Sequence, residues 1–543
     1  MKKCLSILLL LALLAGCGKS NIPVVSEEPE PEIKPKKETE YQISPTFNQD
    51  SNPDNWSVRW EIFQNDEPVE SFKRDEDINF CHANNYYPYE GITTFRGNNY
   101  RTSPVYGTVN IKENTLEEIW SHGTGQLGEW SGCGWSGQPL IVCWDSETRQ
   151  IMDIYPEKQS KDKLTEVIYA TMDGNIYFYD LEDGEPTRDP VKVGMTFKGT
   201  GTLDPRGYPI MYIGSGIASG GKSQRMYAID LIENKVIYEQ SGSDPDALRS
   251  WAAFDSSPII HAETDTIIWP GENGVLYTLK LNTSYDKENR KISINPENVA
   301  KCRYRTTLTD KGRWHGFESS CVAVGNHVYV TENSGMMFCV DLNTMELKWA
   351  QDVIDDTNAT PVFEWKEDGE GAIYTANALR YTANGSKGTT TIYKMDAKTG
   401  SPIWSKTFDC VRNGDSSGGM QSSPAIGKKG SDIENLIFYN IASTPSAYRG
   451  LLLALDKETG NIVWEYTMNN YTWSSPAAVY TDEGKGYIVI CDSIGDVKLI
   501  DGISGAFLGS TNIGANVEAS PAIFRDTLVV GTRGCKISGV KIK

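Results

Sequence analysis

From about residue 111 onward the chain alternates short apolar runs with tight polar turns, and the pattern recurs. An apolar run such as Leu451 to Leu455 reads as a strand. It is followed by Asp456-Lys457-Glu458-Thr459-Gly460 and then by a second apolar run that carries Trp464. Aspartate at the head of such a turn bonds the amides ahead of it, and glycine at its end takes a positive φ, so each unit predicts a β-hairpin. The same unit recurs at Asp396 to Trp404 and, with Met345 in the glycine's place, at Asp341 to Trp349. Weaker copies centre on Asp180, Asp230 and Asp501, and in the poorest one Lys280 replaces the aspartate. Successive copies lie between 45 residues apart (Asp456 to Asp501) and 61 residues apart (Lys280 to Asp341).

A second element precedes each hairpin. It reads Ser256-Ser257-Pro258, Ser422-Ser423-Pro424, Ser474-Ser475-Pro476 and Ala519-Ser520-Pro521, with Ser319-Ser320-Cys321 and Ala359-Thr360-Pro361 as variants. Proline near a strand start fits an amide that needs no ladder partner. Four strands per unit at this period predict propeller blades. Full units begin near Ser136, Gly199, Asp255, Glu318, Asn358, Gln421 and Trp473. The last segment, from Glu518 to Lys543, lacks a fourth strand, and Leu116 to Gly123, with Trp120, is available to supply it. The expected fold is therefore all-β: an eight-bladed β-propeller of four-stranded blades, closed by an N-terminal strand that hides both sheet edges.

The N-terminus adds a compartment. Met1-Lys2-Lys3 and the apolar run Leu5 to Leu14 have the size of a signal-peptide core, too short for a stable membrane span. The run ends in Leu14-Ala15-Gly16-Cys17, which resembles the lipobox of bacterial lipoproteins and makes Cys17 the lipidation site. We expect residues 1–16 to be a lipoprotein signal peptide and 17–55 to be the lipidated cysteine with a Pro/Glu/Lys-rich tether. Residues 56–110 would form a cap or entry segment, and 111–543 the propeller. The chain is then exported and lipid-anchored, on the outer face of the plasma membrane or on an outer membrane.

Charge narrows the partners. A formal net charge of −20 argues against nucleic acid, which needs a basic face. Eleven cysteines become nine once Cys4 and Cys17 are set aside, and no CxxC pair or zinc-like spacing appears.

The Asp-x-x-Thr-Gly-x-x-x-Trp units resemble the tryptophan-docking, PQQ-like repeats of quinoprotein-type eight-bladed propellers. Thr94-Phe95-Arg96-Gly97 followed by Arg101-Thr102 and Trp120 is similar to the entry motif of that family. The resemblance implies that Trp349, Trp404 and Trp464 pack on a glycine of a neighbouring blade. It is specific for fold and weak for function, because these propellers serve alcohol and sugar dehydrogenases as well as an outer-membrane assembly lipoprotein.

Chemistry is expected where the loops enter the innermost strands, around the channel mouth. The position three before each proline gives a ring containing Asp255, Glu318, Asn358, Gln421, Trp473 and Glu518. The entering loops add Trp130, Trp135, Trp251, Phe254, Trp314 and His315. An aromatic funnel with acids at its neck suits sugars, quinones or peptide side chains, and Asp255, Glu318 and Glu518 would suit a hard cation such as calcium. The bland alternative is a polar channel lining without a ligand. No catalytic residue stands out: there are no adjacent cysteines of the kind that the family's enzymes often carry over their cofactor, and His327 sits within a strand. The preferred reading is a monomeric, non-enzymatic envelope lipoprotein that binds a protein or a cell-wall carbohydrate, with no cofactor. The alternatives are a PQQ- and calcium-dependent dehydrogenase of alcohols or sugars, and an extracytoplasmic ligand sensor or adhesion module.

Overall fold

The computed structural model describes residues 41–134, 137–414 and 417–543; Cys17, Trp135 and Ser136 lie outside the described residues. Eight antiparallel sheets follow one another along the chain. Blades 1 to 7 span 140–192, 202–241, 259–305, 322–352, 362–411, 425–468 and 477–512. Blade 8 takes three strands from 522–542 and its fourth from Leu116–Gly123, which pairs antiparallel with Lys536–Ile542. The ring is thus closed by the strand that the sequence left over.

The repeated residues have separate tasks. In the Asp456 turn, the Oδ1 atom of Asp456 accepts from the Thr459 amide at 2.8 Å, and Gly460 sits at φ 68°. Trp404 of blade 5 lies against Gly460 of blade 6 and donates through Nε1 to the Lys457 carbonyl at 2.9 Å. Trp349 meets Gly400 in the same way and donates to Ala397; Trp464 meets Gly505 and donates to Gly502. A Cβ on Gly400 would stand 2.7 Å from Cδ2 of Trp349, so the glycine is required by the neighbouring indole. Trp120 docks on Gly184 and so joins blade 8 to blade 1.

The Ser-Ser-Pro element does more than start a strand. The amide of the second serine donates to the equivalent hydroxyl of the next blade: Ser257 to Ser320, Ser320 to Thr360, Ser423 to Ser475 and Ser475 to Ser520, at 2.8–3.3 Å. The carbonyls that follow turn toward the channel, where Arg96 donates to Pro424 (2.7 Å) and Pro476 (3.3 Å). Arg101 donates to Cys321 and Ser257, so the segment around Thr94–Thr102 plugs the channel from one end. Both guanidinium groups are buried, and burial pulls Arg96 down to about 9.

Three departures from the repeat have local causes. The copy centred on Lys280 lacks the Asp turn because the chain there runs out into an extra hairpin, Ser284–Asp286 with Lys291–Ser293. Two short helices, Ser146–Ile151 and Pro156–Gln159, interrupt blade 1. Arg59–Gln64 and Glu67–Val69 add two strands to the outer edge of blade 3. The nine cysteines of the described residues are all free thiols.

Candidate functional site

The connections between blades and the middle turn of each blade gather at the end of the channel opposite the Arg96 plug. The other end is largely covered by the chain's own residues 41–110. There the Thr46 amide donates to Lys398, Trp60 Nε1 to Met345, Arg74 Nε to Leu342 and the Phe80 amide to Gly325, all backbone carbonyls of the turns. At the mouth the described residues present aromatic surface to solvent. Trp251 and Trp314 are exposed there, at 36% and 44%.

Asp255 and Glu318 come together at the neck, joined by Glu272, which the sequence reading missed. One carboxylate oxygen from each lies within 4.8 Å of the others. Glu272 comes from the turn Gly271-Glu272-Asn273-Gly274; the recurrence of an acid shortly before a turn glycine, as in Asp173-Gly174 and Asp492 to Gly495, was the signal that could have found it. Its Oε2 accepts from Trp251 Nε1 at 2.8 Å, while its buried Oε1 has no hydrogen-bond donor among the described residues. Glu318 accepts from Asn333 Nδ2 at 3.0 Å, and the same nitrogen donates to Asp356 at 2.9 Å. Lys198 forms an ion pair with Asp255 and is buried beside it.

The electrostatics follow from this crowding. Burial raises the Glu272 and Glu318 carboxyl groups; the nearby acids add to that, and Lys198 opposes it. Burial, with Glu318 adding to it, raises Asp356 to about 7. Burial, with Arg305 and Arg249 nearby, lowers His315 to about 4, so its ring is neutral at physiological pH.

Around this neck the rim is aromatic and cationic. Arg249 and Arg380 both stack on Trp314, with their guanidinium carbons 4.6 and 3.7 Å from the ring centroid. Arg249 also donates to the His315 carbonyl at 2.9 Å, which fixes the loop that bears Trp314. Gln421 accepts from Asn358 at 2.8 Å across two blades. Trp473 is half-buried beside Tyr471, with ring centroids 6.0 Å apart.

One expected member, Phe254, is not where the sequence placed it, and two others lie outside the carboxylate group. Phe254 is fully buried between Trp269 and Tyr277, because a bulky ring at that position fills the space within the sheet packing. Glu518 is not part of the carboxylate group; it faces Arg533 at 3.7 Å and accepts from Asn516. Trp130 is half-buried, with Arg533 lying 5.9 Å from its ring centroid.

The resemblance raises the question of a calcium ion with a quinone. Asp255, Glu272 and Glu318 offer the hard oxygens that calcium takes. The ammonium of Lys198 already stands on Asp255, however, and a divalent ion there would meet a like charge at contact range. With Lys198 in place the residues do not fit the metal.

The family profile described as outer membrane protein assembly factor BamB matches residues 364–538. No curated protein matches the chain in sequence. Among solved structures, the quinohemoprotein alcohol dehydrogenase of Comamonas testosteroni superposes with a TM-score of 0.54 at 13% identity, over 83% of this chain and 80% of the other. The quinohemoprotein alcohol dehydrogenase ADHIIG of Pseudomonas putida HK5 gives 0.53 at 12% identity, over 86% and 83%. BamB of Moraxella catarrhalis gives 0.48 at 14% identity, over 78% and 99%. At these identities the likeness concerns fold alone. In its repeats and its fold, the chain is a quinoprotein-like, eight-bladed β-propeller.

Proposed function

We propose that the chain is an envelope lipoprotein whose propeller mouth binds a protein or a cell-wall carbohydrate. One observation carries this reading. The mouth holds two exposed tryptophans, one of them braced by two arginines, over a polar neck, while the opposite face is covered by the chain's own N-terminal segment. Tryptophan and arginine held rigidly around a polar centre are the composition of binding hot spots. Tryptophan faces also suit sugar rings. Membrane attachment rests on the Leu14-Ala15-Gly16-Cys17 motif. Among the described residues no helix is long and apolar enough to cross a membrane.

The test places a photo-crosslinking amino acid at Trp314 or, as a control on an outer strand, at Ile403, in cells that make the full chain. The expected result is a discrete adduct from position 314 only, with its yield lowered by Trp251→Ala or Trp473→Ala. Equal labelling from both positions, or none from 314, would overturn the reading. The competing reading, quinone-dependent oxidation, draws on the shared fold alone. It requires reduction of an artificial electron acceptor in the presence of quinone, calcium and an alcohol or sugar.

A further inference from the structure

We infer that Lys198 is the resident cation of the neck, holding the place that a divalent ion would otherwise take, so that Asp255, Glu272 and Glu318 form a latent metal site which this ammonium keeps closed. Three features lead here. Three carboxylate oxygens within 4.8 Å of one another in a buried neck need a positive charge among them. Lys198 supplies it through its ion pair with Asp255, and its side chain is only 9% exposed. Glu272 nevertheless keeps an oxygen, Oε1, that is buried and has no donor among the described residues, so the group has more acceptor capacity than one ammonium on Asp255 uses. The ammonium comes from the chain itself, so the neck meets part of its negative charge without an external ion.

The inference stands on the charges of the neck and not on the identity of a partner, so it and the crosslinking result can fail separately. The probe is terbium(III), whose luminescence a nearby indole sensitises; Trp251 lies 2.8 Å from Glu272 through its Nε1. Full-length wild type is expected to show no saturable terbium signal below about 1 mM, the weak end of protein calcium sites. Lys198→Met is expected to saturate at roughly 100-fold lower concentration, since a contact charge of the wrong sign is gone. Calcium should displace the terbium, and adding Glu272→Gln to the Lys198→Met variant should abolish the signal. Calcium should also raise the urea midpoint of Lys198→Met while leaving wild type unchanged. Tight saturable binding by wild type would overturn the inference. So would a Lys198→Met variant that binds no better than wild type, or one that fails to fold and that calcium cannot restore.

Discussion

Trp349 shows how one residue ties two blades. Its ring is fully buried, its Nε1 donates to Ala397 at 3.2 Å, and its face lies on Gly400 of the next blade. Trp349→Ala should cost about 3–5 kcal/mol of unfolding free energy, measured in urea, because it leaves a cavity between sheets. Asp356 makes a second case, in the neck. It keeps its proton up to about pH 7, well above the usual aspartate value near 4. The folded chain therefore holds a proton between about pH 4 and 7 that the unfolded chain releases. This contribution to stability is full below about pH 4 and is lost as the pH rises to 7. Asp356→Asn removes the dependence, so relative to wild type the variant should gain stability as the pH is raised from about 4 to about 8. A constant difference across that range in paired urea unfolding curves would refute the assignment. The acids of Asp255 and Glu318 were legible from their offset to the serine–proline element. Lys198, Arg249 and Arg380 were not, because they come from connections that share no repeat and reach the mouth only through the curvature of the ring.

At the scale of the element, the repeat proved to encode contacts between blades as much as strands within them. The Asp-x-x-Thr-Gly turn and its tryptophan were readable as a hairpin because the chemistry of a tight turn is local. The serine ring was not. Ser475 accepts from the Ser423 amide at 3.1 Å and receives the Ser520 hydroxyl at 2.9 Å, and these partners are 52 and 45 residues away. Ser475→Ala would strand a buried amide and should cost about 1–3 kcal/mol in the same unfolding measurement. An unchanged midpoint would show that the ring is incidental. The strands of Arg59–Gln64 and Glu67–Val69 were legible in part, since the apolar run Val58 to Phe63 reads as a strand on the propeller's side. Their attachment to blade 3 depends on the free outer edge of Glu297–Arg305, a feature of the folded sheet.

For the whole molecule the chief asymmetry is between two faces. One is largely covered by residues 41–110, which hydrogen-bond to the turns of the blades and plug the channel with Arg96 and Arg101. The other presents Trp251 and Trp314 around the neck. A net charge of −20 keeps such a body in solution and away from anionic lipid unless something holds it there. The lipid on Cys17 is proposed as that link. Cys17→Ser should move the protein from the membrane to the soluble fraction and remove its labelling by a fatty-acid analogue, and a variant that stays with the membrane would disprove the anchor. By itself the sequence determined the all-β class, the count of eight blades and the closing strand, because turn chemistry and strand alternation are short-range and a repeat displays them many times over. Only the tertiary structure decided which side chains meet at the neck. Ring closure brings Lys198, Asp255, Glu272 and Glu318 from blade ends and connections far apart in the chain to within a few ångströms, and burial then sets their charges against one another.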